Sequence, residues 1–281
     1  MTVVPILLYH SVSSDPASWI APYTVTPETF RTHVEAMLAS ERTPMTVSEF
    51  VAAANGYRVL PERPLIVTFD DGFEDFLSAA GVLSSARLSS TLYVTTGALR
   101  GRPPTSLHIP PAPMLSWSQL TDLHEFGVEI GAHTHTHPQL DILPPPAVAD
   151  EIRRSKGLLE EHLGRSVPSF AYPHGFHSAR VRTAVARAGH NSACAVGNAL
   201  SSTTDRSLSL ARLTVRSDTS AADLSRWLSG RGAPIAPFPE RWRTGLWRTY
   251  RRLRGTRSSR GVLLHQPGEP SPPAVSQNRS R

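Results

Sequence analysis

Short apolar runs alternate along this chain with longer stretches in which apolar positions recur every three or four residues. Residues 3–8, 65–69, 91–95, 128–130, 169–172 and 192–196 have the length and side-chain content of buried strands. Between them, Phe30, Val34, Met37 and Leu38 share one helical face, and so do Val148, Ile152, Leu159 and Leu163. Phe76, Leu77 and Ala80 begin another helical pattern, and a further helix through Val181 and Val185 separates the last two strands. Strand followed by helix is the order of a parallel α/β fold.

Local punctuation agrees with this order. Thr26-Pro27-Glu28 offers an N-cap with proline at the first helical position, while Thr46 with Glu49 and Ser116 with Gln119 have the spacing of capping boxes. Gly56, Gly127 and Gly164 stand where helices should stop. Proline clusters at 102–113 and 143–146 are expected to be loops. No repeat of ~20 to 50 residues is visible. From about Gly230 the alternation lapses, so the chain is expected to divide into one folded domain over 1–229 and a Pro/Arg-rich extension over 230–281 that ends in a polar, disordered tail.

Composition narrows the picture. A chain of 281 residues that is 40% apolar can bury one sizeable core. Its formal charge of +6 is carried by arginine, since Lys156 is its only lysine, and most of the excess lies between residues 241 and 260. There Trp242, Leu246, Trp247, Tyr250 and Leu253 recur on one face of a predicted helix ringed by Arg241, Arg243, Arg248, Arg251, Arg252 and Arg254. Such a helix either docks on its own domain or lies on a membrane surface. The arginines form no recognisable nucleic-acid-reading motif, and nucleic acid is not an expected partner. Cys194 stands alone in an apolar run, which predicts a buried thiol and no disulfide. The first residues have no basic segment before their short apolar run, so the chain is expected to be cytoplasmic, with peripheral contact at the inner membrane face left open.

Candidate chemistry gathers at the predicted strand ends. Asp70-Asp71-Gly72 follows one strand, and adjacent carboxylates there point in different directions, so one can hold a metal while the other faces a substrate. His133-Thr134-His135-Thr136-His137-Pro138 follows another. In a helical turn His133 and His137 share a face and can grip one ion. In an extended segment His133, His135 and His137 line up instead.

These two segments resemble the first two motifs of NodB-like polysaccharide deacetylases, carbohydrate esterase family 4. Phe170-Ala171-Tyr172-Pro173-His174-Gly175 resembles the third, in the expected order, and the resemblance covers about residues 3–220. It implies a distorted (β/α) barrel that hydrolyses the N-acetyl amide of an amino-sugar glycan. By the same resemblance Asp70 is the general base. Asp71, His133 and His137 hold a divalent cation, zinc in the first place, with cobalt or nickel as alternatives. The backbone N–H of His174 is the oxyanion donor. Many family members carry an arginine two residues before the proline, where this chain has Ala171, so the usual partner of Asp70 is missing. Arg212 and Asp218 are candidates to support the site.

The family usually draws its general acid from a late Leu-x-His motif, matched here by Leu263-Leu264-His265, but that segment runs straight into Gln266-Pro267-Gly268. His10 follows the apolar run 5–9 at a strand's C-terminal end and is the preferred candidate, with His177 as a third. An N-acetylated glycan, nucleotide-linked or lipid-linked, is the expected substrate. Hydrolysis of a non-sugar amide and a catalytically silent carbohydrate-binding barrel are the rival readings.

Overall fold

A computed structural model describes residues 1–101 and 107–238. Seven strands form one continuous parallel sheet, ordered Ser192–Cys194, Ser169–Ala171, Glu129–Ala132, Thr91–Val94, Pro64–Phe69, Ile6–Tyr9, Leu213–Thr214, and Thr43–Met45 pairs with the start of Pro64–Phe69. A single parallel bridge between Cys194 and Leu210 joins the two ends of this curled sheet. The result is the distorted (β/α) barrel expected from the sequence.

Side-chain alternation along the strands builds two apolar clusters. Leu7, Tyr9, Val67, Phe69, Leu92 and Val94 point outwards and pack against the helices. Ile6, Ile66, Tyr93, Ala171 and Cys194 point inwards. The helix α2, the second in chain order (Val47–Ala54), adds Val47, Phe50 and Val51 to the inner cluster. Its first turn is tied to strand starts, Val47 N–H to Thr91 Oγ1 at 3.1 Å and Ser48 N–H to Glu129 Oε2 at 3.3 Å, so it closes the end of the barrel remote from the site.

The expected caps form. Thr26 Oγ1 accepts from Thr29 N–H, complete capping boxes open α2 and the helix Trp117–Glu125, and Gly164 ends the helix α5 (Pro145–Leu163) in a left-handed conformation. Two expectations are corrected. Residues 3–8 are not one strand: Val3–Val4 pairs antiparallel with Ser201–Ser202, and the sheet strand begins at Ile6, because Pro5 between them has no N–H to donate to a ladder. Residues 143–146 are only partly a loop, because Pro145 and Pro146 open α5, where a missing N–H is harmless.

No helix among the described residues is long and apolar enough to cross a membrane. The expected helix at 242–253 and His265 lie outside the described residues. Cys194 is fully buried, and burial pushes its thiol up to about 11.

Candidate active site

Register brings the candidate residues to one rim. Tyr9 is paired with Phe69, so His10 and Asp70 leave neighbouring strands side by side, and Asp70 N–H donates to Tyr9 C=O at 3.1 Å. Ala132 is paired with Val94, and His133 N–H donates to Val94 C=O at 3.0 Å. Phe170 is paired with Ala132, which sets Pro173 and His174 on the next strand end. His10, Asp70, Asp71, His133, His137 and His174 all line one cavity of about 730 Å³. Trp19, Tyr23, Phe176 and Trp227 supply aromatic wall.

The backbone around this cavity is strained. Seven non-glycine residues among those described have left-handed φ, and five of them lie here: Asp71 (76°), Thr134 (67°), His137 (63°), His174 (56°) and Asn198 (45°). Each such conformation costs about 1 kcal/mol or more, and strain of this kind collects at functional sites because the surrounding structure must enforce it. The left-handed turns also explain why residues 133–137 are neither a helical turn nor an extended run. His133 and His137 converge on the cavity, while His135 turns away, its Nδ1 2.9 Å from Thr96 Oγ1. The three-histidine arrangement is therefore not formed.

The adjacent carboxylates have different partners. Asp71 Oδ1 lies 3.4 Å from His133 Nε2 and 3.1 Å from His137 Nε2. Burial would raise its pKa, yet His137 and His133 beside it hold the Asp71 carboxyl well below the usual range. Asp70 faces Arg212, whose Nη1 and Nη2 donate to Oδ1 and Oδ2 at 2.7 Å each in a bidentate fork. Burial would raise the Asp70 pKa as well, but the Arg212 guanidinium, with His133 and His10, lowers it overall. Arg212 has no solvent exposure and also donates to Ala195 C=O at 3.0 Å and Thr68 Oγ1 at 3.1 Å. It thus fills the role left open by Ala171. Asp218 takes no part: its carboxylate is exposed and lies 3.7 Å from Arg216.

The group Asp71, His133 and His137 suits a cation. Their ligand atoms lie within 4.8 Å of one another, and all three residues are buried. His133 Nδ1 lies 2.8 Å from Ala171 C=O, which calls for the proton on Nδ1 and leaves the Nε2 lone pair directed at Asp71. Asp71 Oδ1, faced by both imidazoles, completes no hydrogen bond. A carboxylate oxygen and two imidazole nitrogens converging without hydrogen bonds form a ligand set that leaves further positions open.

Of the histidines weighed as acid, His10 lies in the cavity wall with its Nδ1 buried and unpartnered. Burial lowers its pKa more than the charges of Asp71 and Asp70 raise it. His177 instead stacks on Tyr172 at 4.7 Å between ring centroids and is not among the residues lining the cavity. The sequence reading missed the aromatic wall, which comes from distant segments, and Glu151, which accepts from the His135 and Thr136 N–H groups but lies beside the apolar stripe of α5 and carries no signal of its own.

The family model for polysaccharide deacetylase matches residues 58–193. YxkH of Bacillus subtilis (strain 168), which bears the name of a polysaccharide deacetylase, is 24% identical over 188 residues, 66% of this chain and 62% of its own length. The Streptococcus pyogenes deacetylase PplD, solved in complex with acetate, shares the fold at a TM-score of 0.70 and 23% identity, over 79% of this chain and 96% of that one. IcaB from Ammonifex degensii does so at 0.69 and 22%, over 81% and 97%. With three motifs in order on strand ends of one sheet, a family match that contains all three, and a shared fold, the chain resembles the NodB-like polysaccharide deacetylases.

Proposed function

We propose that the protein is a metal-dependent hydrolase that removes N-acetyl groups from an amino-sugar glycan. The observation that carries this reading is the division of labour between adjacent carboxylates, Asp71 gathered with His133 and His137, Asp70 locked by Arg212. A divalent cation at the first group, zinc or else cobalt or nickel, would supply a Lewis acid for the acetamide carbonyl and favour ionisation of water.

The chain's own groups do the rest. Asp70, ionised and fixed by Arg212, accepts a proton from the attacking water. The His174 backbone N–H, on a cavity-lining residue with a left-handed φ of 56°, would donate to the developing oxyanion. His10, its Nδ1 buried and unpartnered in the cavity wall, is the candidate to protonate the departing amine. The aromatic wall of Trp19, Tyr23, Phe176 and Trp227 suits the apolar faces of sugar rings and supports a glycan over a simple amide.

The test compares Asp70→Asn with Asp71→Asn. The first should retain metal and lose nearly all turnover on N-acetylhexosamine oligomers; the second should lose both. Equal metal loss in the two variants overturns the assignment, and preferential hydrolysis of simple amides overturns the substrate class. The proposal extends to a lipid-linked sugar at the cytoplasmic membrane face, supported by the aromatic and arginine pattern over 242–253. Flotation with anionic liposomes should then be lost on truncation after Glu240, and unchanged flotation sinks that extension.

A further inference from the structure

The segment that bears His133 and His137 is gripped along its backbone by neighbouring segments. Its carbonyls at Thr134, His135 and Thr136 accept from the N–H groups of Thr96, Gly97 and His108 at 3.2, 2.8 and 2.8 Å. Two of its N–H groups depend on one side chain. Those of His135 and Thr136 both donate to Glu151 Oε2 at 2.8 Å, and the Thr136 hydroxyl donates to Oε1 at 2.6 Å. Consecutive N–H groups turned towards one point form a nest for an anion, and here the anion is built into the chain on α5.

The two histidines depend on this grip unequally. The His133 ring is fixed by Ala171 C=O. His137 Nδ1 has no hydrogen-bond partner, so its ring direction follows from its own left-handed backbone and from edge contacts with the rings of His133 and His174, at 5.0 and 4.8 Å. The His137 N–H in turn donates to Thr134 Oγ1 at 3.0 Å, inside the same turn. Loosening 135–136 therefore releases His137 before His133.

We propose that Glu151 is the positioning residue of the metal centre: by holding residues 135 and 136 it sets His137 against Asp71, and cation affinity depends on it. This rests on the reading of Asp71, His133 and His137 as cation ligands. Glu151 itself touches neither cation nor substrate.

The experiment uses the full chain, with zinc affinity measured by competition against a chromophoric chelator and site geometry by the visible absorption of bound cobalt. Glu151→Ala should bind about 10- to 100-fold more weakly, with altered cobalt bands, and recover turnover at saturating metal. Glu151→Gln should largely rescue affinity, because its amide oxygen still accepts both N–H groups and its NH₂ can donate to Thr136 Oγ1. Lys156→Met, which removes another anchor of α5, to Glu160 and Val167 C=O, should bind like the wild type.

If Glu151→Ala keeps wild-type affinity while His137→Ala loses it, Glu151 does not position the site. An equal loss in Lys156→Met reduces the effect to general loosening of α5 and also overturns the proposal. Wild-type protein that binds no better than His137→Ala sinks the metal reading itself, and the proposal with it. Should Glu151→Ala fail to fold, Glu151→Asp, one methylene shorter, must show a loss in the same direction; wild-type affinity in that variant counts against the proposal.

Discussion

Asp70 and Arg212 show how much one buried contact decides. A carboxylate sealed from water beside another carboxylate is useful as a base only if a fixed positive charge keeps it ionised, and the guanidinium fork supplies both charge and orientation. Arg212→Met should lower turnover by about 10²-fold at unchanged metal content and destabilise the fold by about 3–5 kcal/mol, since it strands a buried charge. Arg212→Lys should not restore activity, because an ammonium cannot form the fork. Turnover at matched metal and urea denaturation check both. The same comparison separates the histidines: His10→Ala should lose about 10²-fold or more, and His177→Ala should stay near wild type. The motif residues were legible because each stands directly after an apolar run. Arg212 could be named as a candidate to support the site, but its partner could not be read, because a strand end says nothing about what crosses to it from another strand.

At the scale of elements, helices with caps and strands with apolar runs were legible, since those signals are local. The strand Thr43–Met45 was missed, being short and interrupted by Pro44, and the helix Ala221–Leu228 escaped although Ser220 and Asp223 form a capping box. The conformation of 133–137 lay beyond sequence because its left-handed residues are threonine and histidine rather than glycine. The turn after Ser169–Ala171 is a sharper case. Gly175 has φ 72°, and a Cβ there would lie 2.6 Å from Val196 Cβ. Gly175→Ala should cost about 2–4 kcal/mol of stability, through left-handed strain and overpacking together. It should also lower turnover by displacing His174, with a smaller loss of metal, because Asp71, His133 and His137 stand on other loops and only the His137 ring touches His174. Thermal melts, metal analysis and turnover on one preparation test this, and metal loss parallel to activity would contradict it.

Across the whole molecule, stability should depend on pH through a residue far from the chemistry. His190 is buried against Phe170, and burial, reinforced by the charge of Lys156 and only partly opposed by Glu160, lowers its pKa from 6.5 to about 3. The unfolded chain therefore takes up a proton that the folded one refuses. Stability from this source is complete above pH about 6.5 and falls by about 1.4 kcal/mol per pH unit below it, until pH about 3. Relative to His190→Leu, the wild type should lose about 2 kcal/mol more between pH 7.5 and 5, read from urea midpoints. Equal losses would assign the acid sensitivity elsewhere.

Sheet order carries a final consequence, for the timing of synthesis. The strand that follows Arg212 lies beside Ile6–Tyr9, and the fork on Asp70 spans 142 positions of chain. A ribosome releases Asp70, Asp71 and both metal-candidate histidines long before it releases the guanidinium that prepares the base. Until then the half-made barrel has a seam and an unmatched carboxylate. On the proposed function, activity would wait for completion of the barrel, and a chain halted before residue 212 emerges would carry the motifs without the fork on Asp70.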